Sequence, residues 1–202
     1  YTLPDQVLKT IVITSAIPNE GKSFVSANLA LAMAQLGRRV LIIDADMRCS
    51  SQHQVWKVEN SQGLNEILEN KIDLQTASRK VANNVYLLTA GATPSNPFAT
   101  LASPRMNALI ATAQQEYDFV IIDTPPVIYA ADALVLGKLV DGTLVVVRPG
   151  AANSAISQEM KSLLTQSTQR VLGMVINDVM DETDSYYGYG VQKGYYRLPV
   201  AK

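Results

Sequence analysis

The sequence predicts an α/β fold in which a doubly wound, mainly parallel β-sheet carries helices on both faces. Apolar runs typical of buried strands alternate with helical segments as far as residue 177, which is the order of a parallel sheet with crossover helices. Two of these runs, 40–44 and 119–123, are apolar without interruption until they end in an aspartate. Such runs are expected of strands that are covered on both faces.

Length and composition are those of an ordinary globular chain. The 202 residues can bury a substantial core as one domain, and apolar residues make up 48% of them. The net charge of −1 gives no argument for a nucleic-acid partner or for binding to anionic lipid. The single cysteine, Cys49, suits a reducing compartment, and no apolar run approaches the roughly 20 residues that span a bilayer. The chain opens at Tyr1 without Met, which is compatible with a longer protein that carries a membrane anchor upstream.

The strands and helices can be placed in order from hydrophobic period and breaker residues. Predicted strands cover 10–15, 40–44, 85–89, 119–123, 142–147 and 171–177, and predicted helices cover 22–36, 64–69, 98–115, 130–139 and 154–168. Gly37 ends the first helix, and Pro104 is a position at which the third can break. Residues 49–62 are polar and are predicted to form a loop, in which His53 has no assigned role.

The stretch from Thr10 to Ser26 predicts a phosphate-binding loop, because strand, loop and helix follow one another in the required order. Backbone N–H groups and the helix dipole would point at one spot, where Lys22 reaches the β- and γ-phosphates and Ser23 binds Mg²⁺. The candidate nucleotide-binding residues here are Asn19, Glu20, Gly21, Lys22, Ser23 and Phe24. The match is imperfect, since Ala16 stands where the full motif has glycine. A Gly-Lys-Ser at such a junction can also be a plain pair of helix caps.

Acidic side chains follow both of the uninterrupted apolar strands. Asp123 is the type of acid that holds Mg²⁺ opposite a loop serine, directly or through water. Asp44 and Asp46 lie two residues apart, so extended geometry would point them to the same side. One could complete the metal shell while the other accepts the proton of an attacking hydroxyl group. Alternatively, Asp44 and Asp46 are two solvated acids without a functional role. The candidate metal ligands are Ser23, Asp44, Asp46 and Asp123, and the candidate catalytic residues are Lys22, Asp44 and Asp46.

Two more polar residues end predicted strands. Arg148 follows the strand over 142–147, and Asn177 ends the last strand. Because ligands of open α/β sheets bind beyond the carboxyl ends of the strands, both are candidate nucleotide-binding residues. The amide of Asn177 can donate and accept, which suits an adenine edge, although a residue that simply ends a strand would look the same.

Residues 179–202 form a different kind of sequence. Five of the nine tyrosines fall within eleven residues, among several glycines: Tyr186, Tyr187, Tyr189, Tyr195 and Tyr196. This stretch has neither a helix nor a strand period, so a flexible tail is predicted to follow a P-loop domain over 1–178. The tyrosines are candidate phosphate acceptors, and each phosphate would add about −1.5 to −2 charges, enough to drive the tail from a Mg-nucleotide site. Alternatively, the aromatic segment packs on a neighbour.

Taken together, these residues resemble the bacterial tyrosine kinases (BY-kinases), the cytoplasmic kinase domains of exopolysaccharide and capsule synthesis proteins. The resemblance covers nearly the whole chain. It rests on Walker A over 15–23, on the second Walker motif (A′) Asp44-Ala45-Asp46-Met47-Arg48 and on Walker B Asp123-Thr124-Pro125-Pro126. The stretch 96–106 and the terminal tyrosine cluster also look like this family.

The resemblance implies a protein-tyrosine kinase that uses ATP and Mg²⁺ and autophosphorylates its tail between neighbouring subunits of a ring. It also implies a membrane activator, fused upstream or separate, a protein tyrosine phosphatase as antagonist, and a place at the inner face of the plasma membrane through an anchor outside this chain. By analogy, Lys22 binds phosphate and Ser23 and Asp123 serve the metal. Asp44 would then activate the tyrosine hydroxyl and Asp46 would join the metal shell, although these two roles could be exchanged.

One departure from the family concerns assembly. The Glu-x-x-Arg-x-x-Arg helix that the family uses in ring formation is absent from residues 1–9, which leaves the oligomer open. Two alternatives compete with a kinase. A partition or division-site ATPase would carry a second lysine where this chain has Ile17, and the tyrosine tail also counts against it. A catalytically silent nucleotide-binding assembly module has only Ala16 in its favour.

Overall fold

A computed structural model describes residues 8–167 and 170–178. The strands are β1 (Thr10–Ser15), β2 (Val40–Asp44), β3 (Arg79–Ala82), β4 (Val85–Leu88), β5 (Phe119–Asp123), β6 (Gly142–Val147) and β7 (Val171–Ile176). The helices are α1 (Lys22–Gln35), α2 (Gln52–Trp56), α3 (Leu64–Leu68), α4 (Leu74–Ala77), α5 (Pro97–Leu101), α6 (Pro104–Glu116), α7 (Asp132–Leu136) and α8 (Ser154–Gln166). In the described part of the chain, no helix is long and apolar enough to cross a membrane.

The described strands form one seven-stranded sheet in the order β3-β4-β2-β5-β1-β6-β7. Every neighbouring pair is parallel except β3 with β4, which is antiparallel. The predicted doubly wound, mainly parallel sheet is therefore confirmed. The order places β5 at the centre, between β2 and β1. Asp44 of β2 pairs in register with Asp123 of β5.

Both faces of the sheet are covered, which explains why its central strands are apolar throughout. Leu41 and Ile43 point to one face, where they share a core with Ile110 of α6. Val40 and Ile42 point to the other face and share a second core with residues of α1. Successive side chains of a strand point to opposite faces, so a strand buried on both sides needs apolar residues at every position.

The structure corrects the predicted elements in several places. Residues 49–62, predicted as a loop, contain the short helix α2, and the sequence analysis also missed β3 and α4. The helix predicted over 98–115 is two helices, because the chain breaks just before Pro104, which begins α6. The helix predicted over 130–139 is limited to Asp132–Leu136. The predicted tail, 179–202, lies outside the described residues, and the division of the chain at 178 stays a prediction.

Candidate active site

The loop between β1 and α1 has the backbone shape that a phosphate cradle requires. Asn19 and Gly21 both adopt positive φ, and α1 begins directly after Gly21. Glu20 is buried, and its carboxylate accepts hydrogen bonds from the backbone N–H of Ile17 at 2.9 Å and of Arg148 at 3.2 Å. The Glu20 side chain therefore stabilises the loop from the protein side. The other backbone N–H groups of the loop are thereby left for contact with a ligand.

Asn177 packs against this loop from the end of β7. Its side-chain amide donates to the carbonyl of Glu20 at 2.9 Å, while its backbone N–H donates to Val147 at 2.8 Å. A Cβ atom added to Gly21 would lie 2.0 Å from Nδ2 of Asn177. Position 21 thus requires glycine both for its φ of 88° and for space. Beside it, the Arg148 guanidinium forms an ion pair with Asp178 at 2.6 Å.

A cleft of about 450 Å³ opens in front of the loop. Six predicted site residues line it: Asn19, Gly21, Lys22, Ser23, Phe24 and Asp46. On the wall of this cleft, Nζ of Lys22 lies 3.4 Å from Oδ2 of Asp46, and both side chains are largely buried. The A′ and Walker A motifs are therefore joined by an ion pair at the place where phosphates would enter.

Asp44 lies deeper than its neighbour Asp46. It is fully buried, and its Oδ2 accepts hydrogen bonds from the backbone N–H groups of Ser51 at 3.1 Å and Gln52 at 3.0 Å. Its Oδ1 accepts from the N–H of Asp46 at 3.2 Å. Burial, reinforced by the charge of Asp123, raises the pKa of Asp44 to about 8, against the lowering effect of the backbone N–H groups. Asp44 thus holds the beginning of α2 onto the site.

Asp123 is the acid at the end of β5. It is fully buried, its Oδ2 accepts from Nε2 of Gln52 at 2.8 Å, and its Oδ1 has no hydrogen-bond partner among the described residues. Burial raises the pKa of Asp123, while the nearby Lys22 charge and the Ser23 and Gln52 side chains oppose that shift. An unsatisfied buried carboxylate oxygen beside a loop serine fits a bound Mg²⁺, which takes oxygen ligands.

The acidic side chains of the described site do not form a metal-binding group of their own. Within the described ranges, no three His, Cys, Asp or Glu side chains come together as a metal-binding group. Ser23 is hydrogen-bonded to the Ser51 hydroxyl at 2.8 Å. Mg²⁺ in nucleotide sites is bound by one or two protein oxygens together with phosphates and water, so the arrangement fits a metal that arrives with a nucleotide.

Sequence reasoning missed several residues that shape the site. Gln52 contacts both Ser23 and Asp123, and Arg48 forms an ion pair at 3.2 Å with the buried Asp132 of α7. Cys49, Val55 and Tyr129 also line the cleft. A periodicity signal could not reveal α2 because the helix has only five residues. Arg48 had a possible signal, since it belongs to the A′ motif.

The structure therefore brings most of the predicted site together at one edge of the sheet. Lys22, Ser23 and Asp46 line the cleft, while Asp44 and Asp123 lie buried behind it. The glutamate, arginine and asparagine at 20, 148 and 177 support the loop. The five predicted acceptor tyrosines lie outside the described residues.

Sequence comparisons agree with this geometry. A ParA family model, described as NUBPL iron-transfer P-loop NTPase, matches residues 6–185. Tyrosine-protein kinase YwqD of Bacillus subtilis (strain 168) is 38% identical over 187 residues, which span 92% of this chain and 78% of that protein. Putative tyrosine-protein kinase CapB of Staphylococcus aureus is 36% identical over 94% of this chain and 84% of its own length. Tyrosine-protein kinase etk of Escherichia coli (strain K12) is 35% identical, but the match spans only 25% of that longer protein.

Solved structures give the same answer. The kinase domain of Escherichia coli tyrosine kinase ETK matches with a TM-score of 0.84 and 34% identity, over 92% of this chain and 73% of that one. The septum site-determining protein MinD of Pyrococcus horikoshii, complexed with Mg-ADP, matches with a TM-score of 0.69 and 25% identity over 83% and 69%. Fold and site define a P-loop NTPase of the ParA type. Within that class, the chain belongs to the bacterial tyrosine kinase family.

Proposed function

We propose that this chain transfers the γ-phosphoryl group of Mg-ATP to tyrosine hydroxyl groups. The observation that carries the proposal is the Lys22–Asp46 pair in the cleft wall. It combines a cation for the phosphates with a carboxylate on the cleft wall, where an acceptor hydroxyl group would enter. The family of the chain, whose relatives YwqD and CapB are named tyrosine-protein kinases, supports the same reaction.

Nucleotide binding would use the loop and the beginning of α1. Backbone N–H groups from Asn19 to Ser23, with the positive end of the α1 dipole, would surround the phosphates, and Lys22 would exchange Asp46 for a phosphate oxygen. Ser23 and the free oxygen of Asp123 would hold Mg²⁺, which neutralises charge on the transferred group. Arg148 and Asn177 are candidates for contacts with the rest of the nucleotide, because they lie against the loop at the next two strand ends.

The acid that receives the tyrosine proton would lie on the cleft wall. The sequence favoured Asp44 for this role and allowed the exchange with Asp46. The positions of the two acids favour the exchange, since Asp46 lines the cleft beside Lys22 whereas Asp44 is fully buried behind it. In the reaction, the tyrosine O–H bond breaks as its proton passes to Asp46. The tyrosine oxygen then bonds to the γ-phosphorus while the bond to ADP breaks.

The tyrosine cluster would be the substrate of this reaction in a neighbouring copy of the chain. We further propose a membrane-bound activator, because a solved relative is the chimerical protein CapA2B2 and the chain spans about a quarter of the longer relative etk. A role in exopolysaccharide synthesis at the inner face of the plasma membrane, opposed by a tyrosine phosphatase, belongs to the same proposal. The basis for this role and for the phosphatase is the family alone.

The proposal is tested by incubating the chain with Mg-ATP and mapping phosphate by peptide mass spectrometry. We expect phosphotyrosine within 186–196, and we expect Lys22→Met to lower its rate of formation about 10²- to 10³-fold by removing the main cation at the γ-phosphate. Lys71→Met is the matched control, since Lys71 is an exposed residue outside the cleft and pairs with the exposed Glu69. ATP hydrolysis without phosphotyrosine, even with a membrane activator restored, would instead indicate a partition-type ATPase.

A further inference from the structure

The side chain of Gln52 connects the metal-binding side of the cleft to the only tryptophan of the chain. Gln52 is fully buried at the beginning of α2. Its Nε2 donates to Oδ2 of Asp123 at 2.8 Å and to the backbone carbonyl of Ser23 at 3.0 Å. Its Oε1 accepts from the indole N–H of Trp56 at 3.1 Å. One amide therefore spans from the indole to the Walker B acid.

The chemistry of these partners allows only one orientation of the amide. A carboxylate and a backbone carbonyl can only accept, so they require the NH₂ end of Gln52. The indole can only donate, so it requires the carbonyl end. If the amide were reversed, oxygen would face oxygen at Asp123 and N–H would face N–H at Trp56. The indole of Trp56 thus reinforces the direction in which Gln52 donates, which Asp123 and the Ser23 carbonyl also require.

The same residue also joins the two buried acids of the site. The backbone N–H of Gln52 donates to Asp44, while its side chain donates to Asp123. The bond to Oδ2 fixes the rotation of the Asp123 carboxylate, so that Oδ1 is the oxygen left without a partner. Removal of a contact that orients a metal ligand in this way commonly lowers metal affinity or activity by about 10- to 100-fold.

We propose that Gln52 is a positioning residue that holds the Asp123 carboxylate ready for a magnesium-bound nucleotide, and that Trp56 holds Gln52. Because the three groups are linked by hydrogen bonds, occupation of the site changes the environment of the indole. Trp56 fluorescence is then a direct report of magnesium-nucleotide binding. The inference rests on the proposed function, since it assumes that the cleft binds Mg-nucleotide.

The test measures ADP binding by calorimetry and Trp56 fluorescence in parallel, with and without Mg²⁺, under excitation that tyrosine does not absorb. In the native chain, we expect a fluorescence change that depends on Mg²⁺ and saturates with the calorimetric isotherm. Gln52→Leu should weaken the Mg²⁺ dependence of ADP binding about 10-fold and remove the fluorescence change. Gln52→Glu keeps the shape of the side chain but puts a carboxylate against Asp123. It should therefore change the Mg²⁺ dependence of ADP binding more than Gln52→Leu does.

Gln54→Leu is the matched control, because Gln54 lies on the same short helix with its side chain exposed. It should behave as the native chain does. Trp56→Phe keeps an aromatic ring without the N–H, so it should shift the Mg²⁺ dependence in the same direction as Gln52→Leu, by less. The double variant Gln52→Leu/Trp56→Phe should show the same Mg²⁺ dependence of ADP binding as Gln52→Leu alone, since the two residues act through one contact. Trp56→Phe alone, measured by calorimetry, also serves if Gln52→Leu does not fold.

Several results would overturn the inference. If ADP binds by calorimetry and the native chain shows no Mg²⁺-dependent fluorescence change, the link to Trp56 is wrong while the proposed function stands. If Gln52→Leu and Gln54→Leu have equal Mg²⁺ dependence, Gln52 is only a packing residue. If the native chain binds no nucleotide at all, the proposed function fails and the inference fails with it.

Discussion

The two acids of the A′ motif are both buried, but only Asp46 lines the cleft. Asp46 lies on the cleft wall beside Lys22, whereas Asp44 is enclosed and accepts backbone N–H groups from the beginning of α2. A base must come within hydrogen-bond distance of the proton that it removes, and only Asp46 borders the space where a tyrosine could enter. Asp44 instead organises the loop that follows β2.

This difference predicts unequal effects for the two asparagine variants. Asp46→Asn should lower the rate of phosphoryl transfer by about 10²- to 10⁴-fold, the usual contribution of a general base, with little change in ADP binding. Asp44→Asn should cost less in rate, because its effect passes through the position of α2. Single-turnover transfer from ATP to tyrosine, with ADP affinity measured separately, checks both. If Asp44→Asn loses more rate than Asp46→Asn, Asp44 rather than Asp46 is the base.

The residues that the sequence could reveal are those whose chemistry is tied to a local motif. Lys22 and Ser23 follow from the order of strand, loop and helix, and Asp123 follows from its position after an apolar run. Gln52 and Glu20 differ, since their importance comes from partners far along the chain. Gln52 meets Asp123, and Glu20 meets the backbone of Arg148. No local pattern encodes such contacts.

At the scale of elements, the phosphate loop depends on strand β7, which lies two strands away from β1 in the sheet. The β7 end brings Asn177 against Gly21, so tight that a single Cβ atom would collide with the asparagine amide. Gly37, which ends the region of α1, has a similar positive φ of 80° but open space around the position of a Cβ atom. A substitution at Gly37 therefore introduces backbone strain alone, whereas a substitution at Gly21 introduces both strain and a steric clash.

Alanine substitutions at these two positions should differ in a defined way. Gly37→Ala should lower the free energy of unfolding by about 1 to 2 kcal/mol, from left-handed backbone strain alone, and should leave ADP binding unchanged. Gly21→Ala should destabilise the chain further and weaken ADP binding, because the loop or Asn177 must move. Adding Asn177→Ala should recover part of the stability lost in Gly21→Ala. Equal effects of the two single variants on unfolding and on ADP affinity would disprove the steric part of this argument.

The short helix α2 marks the limit of sequence reading for elements. Strand β5 and helix α1 carry clear local sequence signals, and their bounds were predicted to within one residue. α2 has five residues, and its beginning is held by the carboxylate of Asp44 at the end of β2. Tertiary contact, not local propensity, determines where this helix forms.

On the scale of the whole molecule, parallel topology explains why the site exists. The carboxyl ends of β1, β2 and β5 meet at one edge, so residues more than a hundred positions apart become neighbours. That convergence also concentrates acids, since Asp44 and Asp123 pair directly across two strands in the core. Two buried carboxylates side by side destabilise the fold wherever both are ionised.

The stability of the chain without nucleotide should therefore depend on pH in the direction opposite to that of a salt-bridged acid. The pKa of Asp44 is raised from 3.8 to about 8, so the folded chain keeps a proton that the unfolded chain has lost. Its contribution to stability is complete below the unfolded value and is lost as the pH rises towards the folded one. Between about pH 5 and pH 8, the native chain should lose thermal stability relative to Asp44→Asn, which has no proton to release there.

Asp73→Asn provides the control for this pH dependence. Hydrogen bonds from Thr76, first of all its backbone N–H, lower the pKa of Asp73, so this exposed acid is ionised in both states across the same pH range. Its removal should shift the unfolding temperature by a constant amount without changing the slope. Parallel slopes for the native chain and Asp44→Asn would mean that Asp44 is ionised in the fold. Its charge would then have to be balanced by the backbone N–H groups of α2 rather than by a proton.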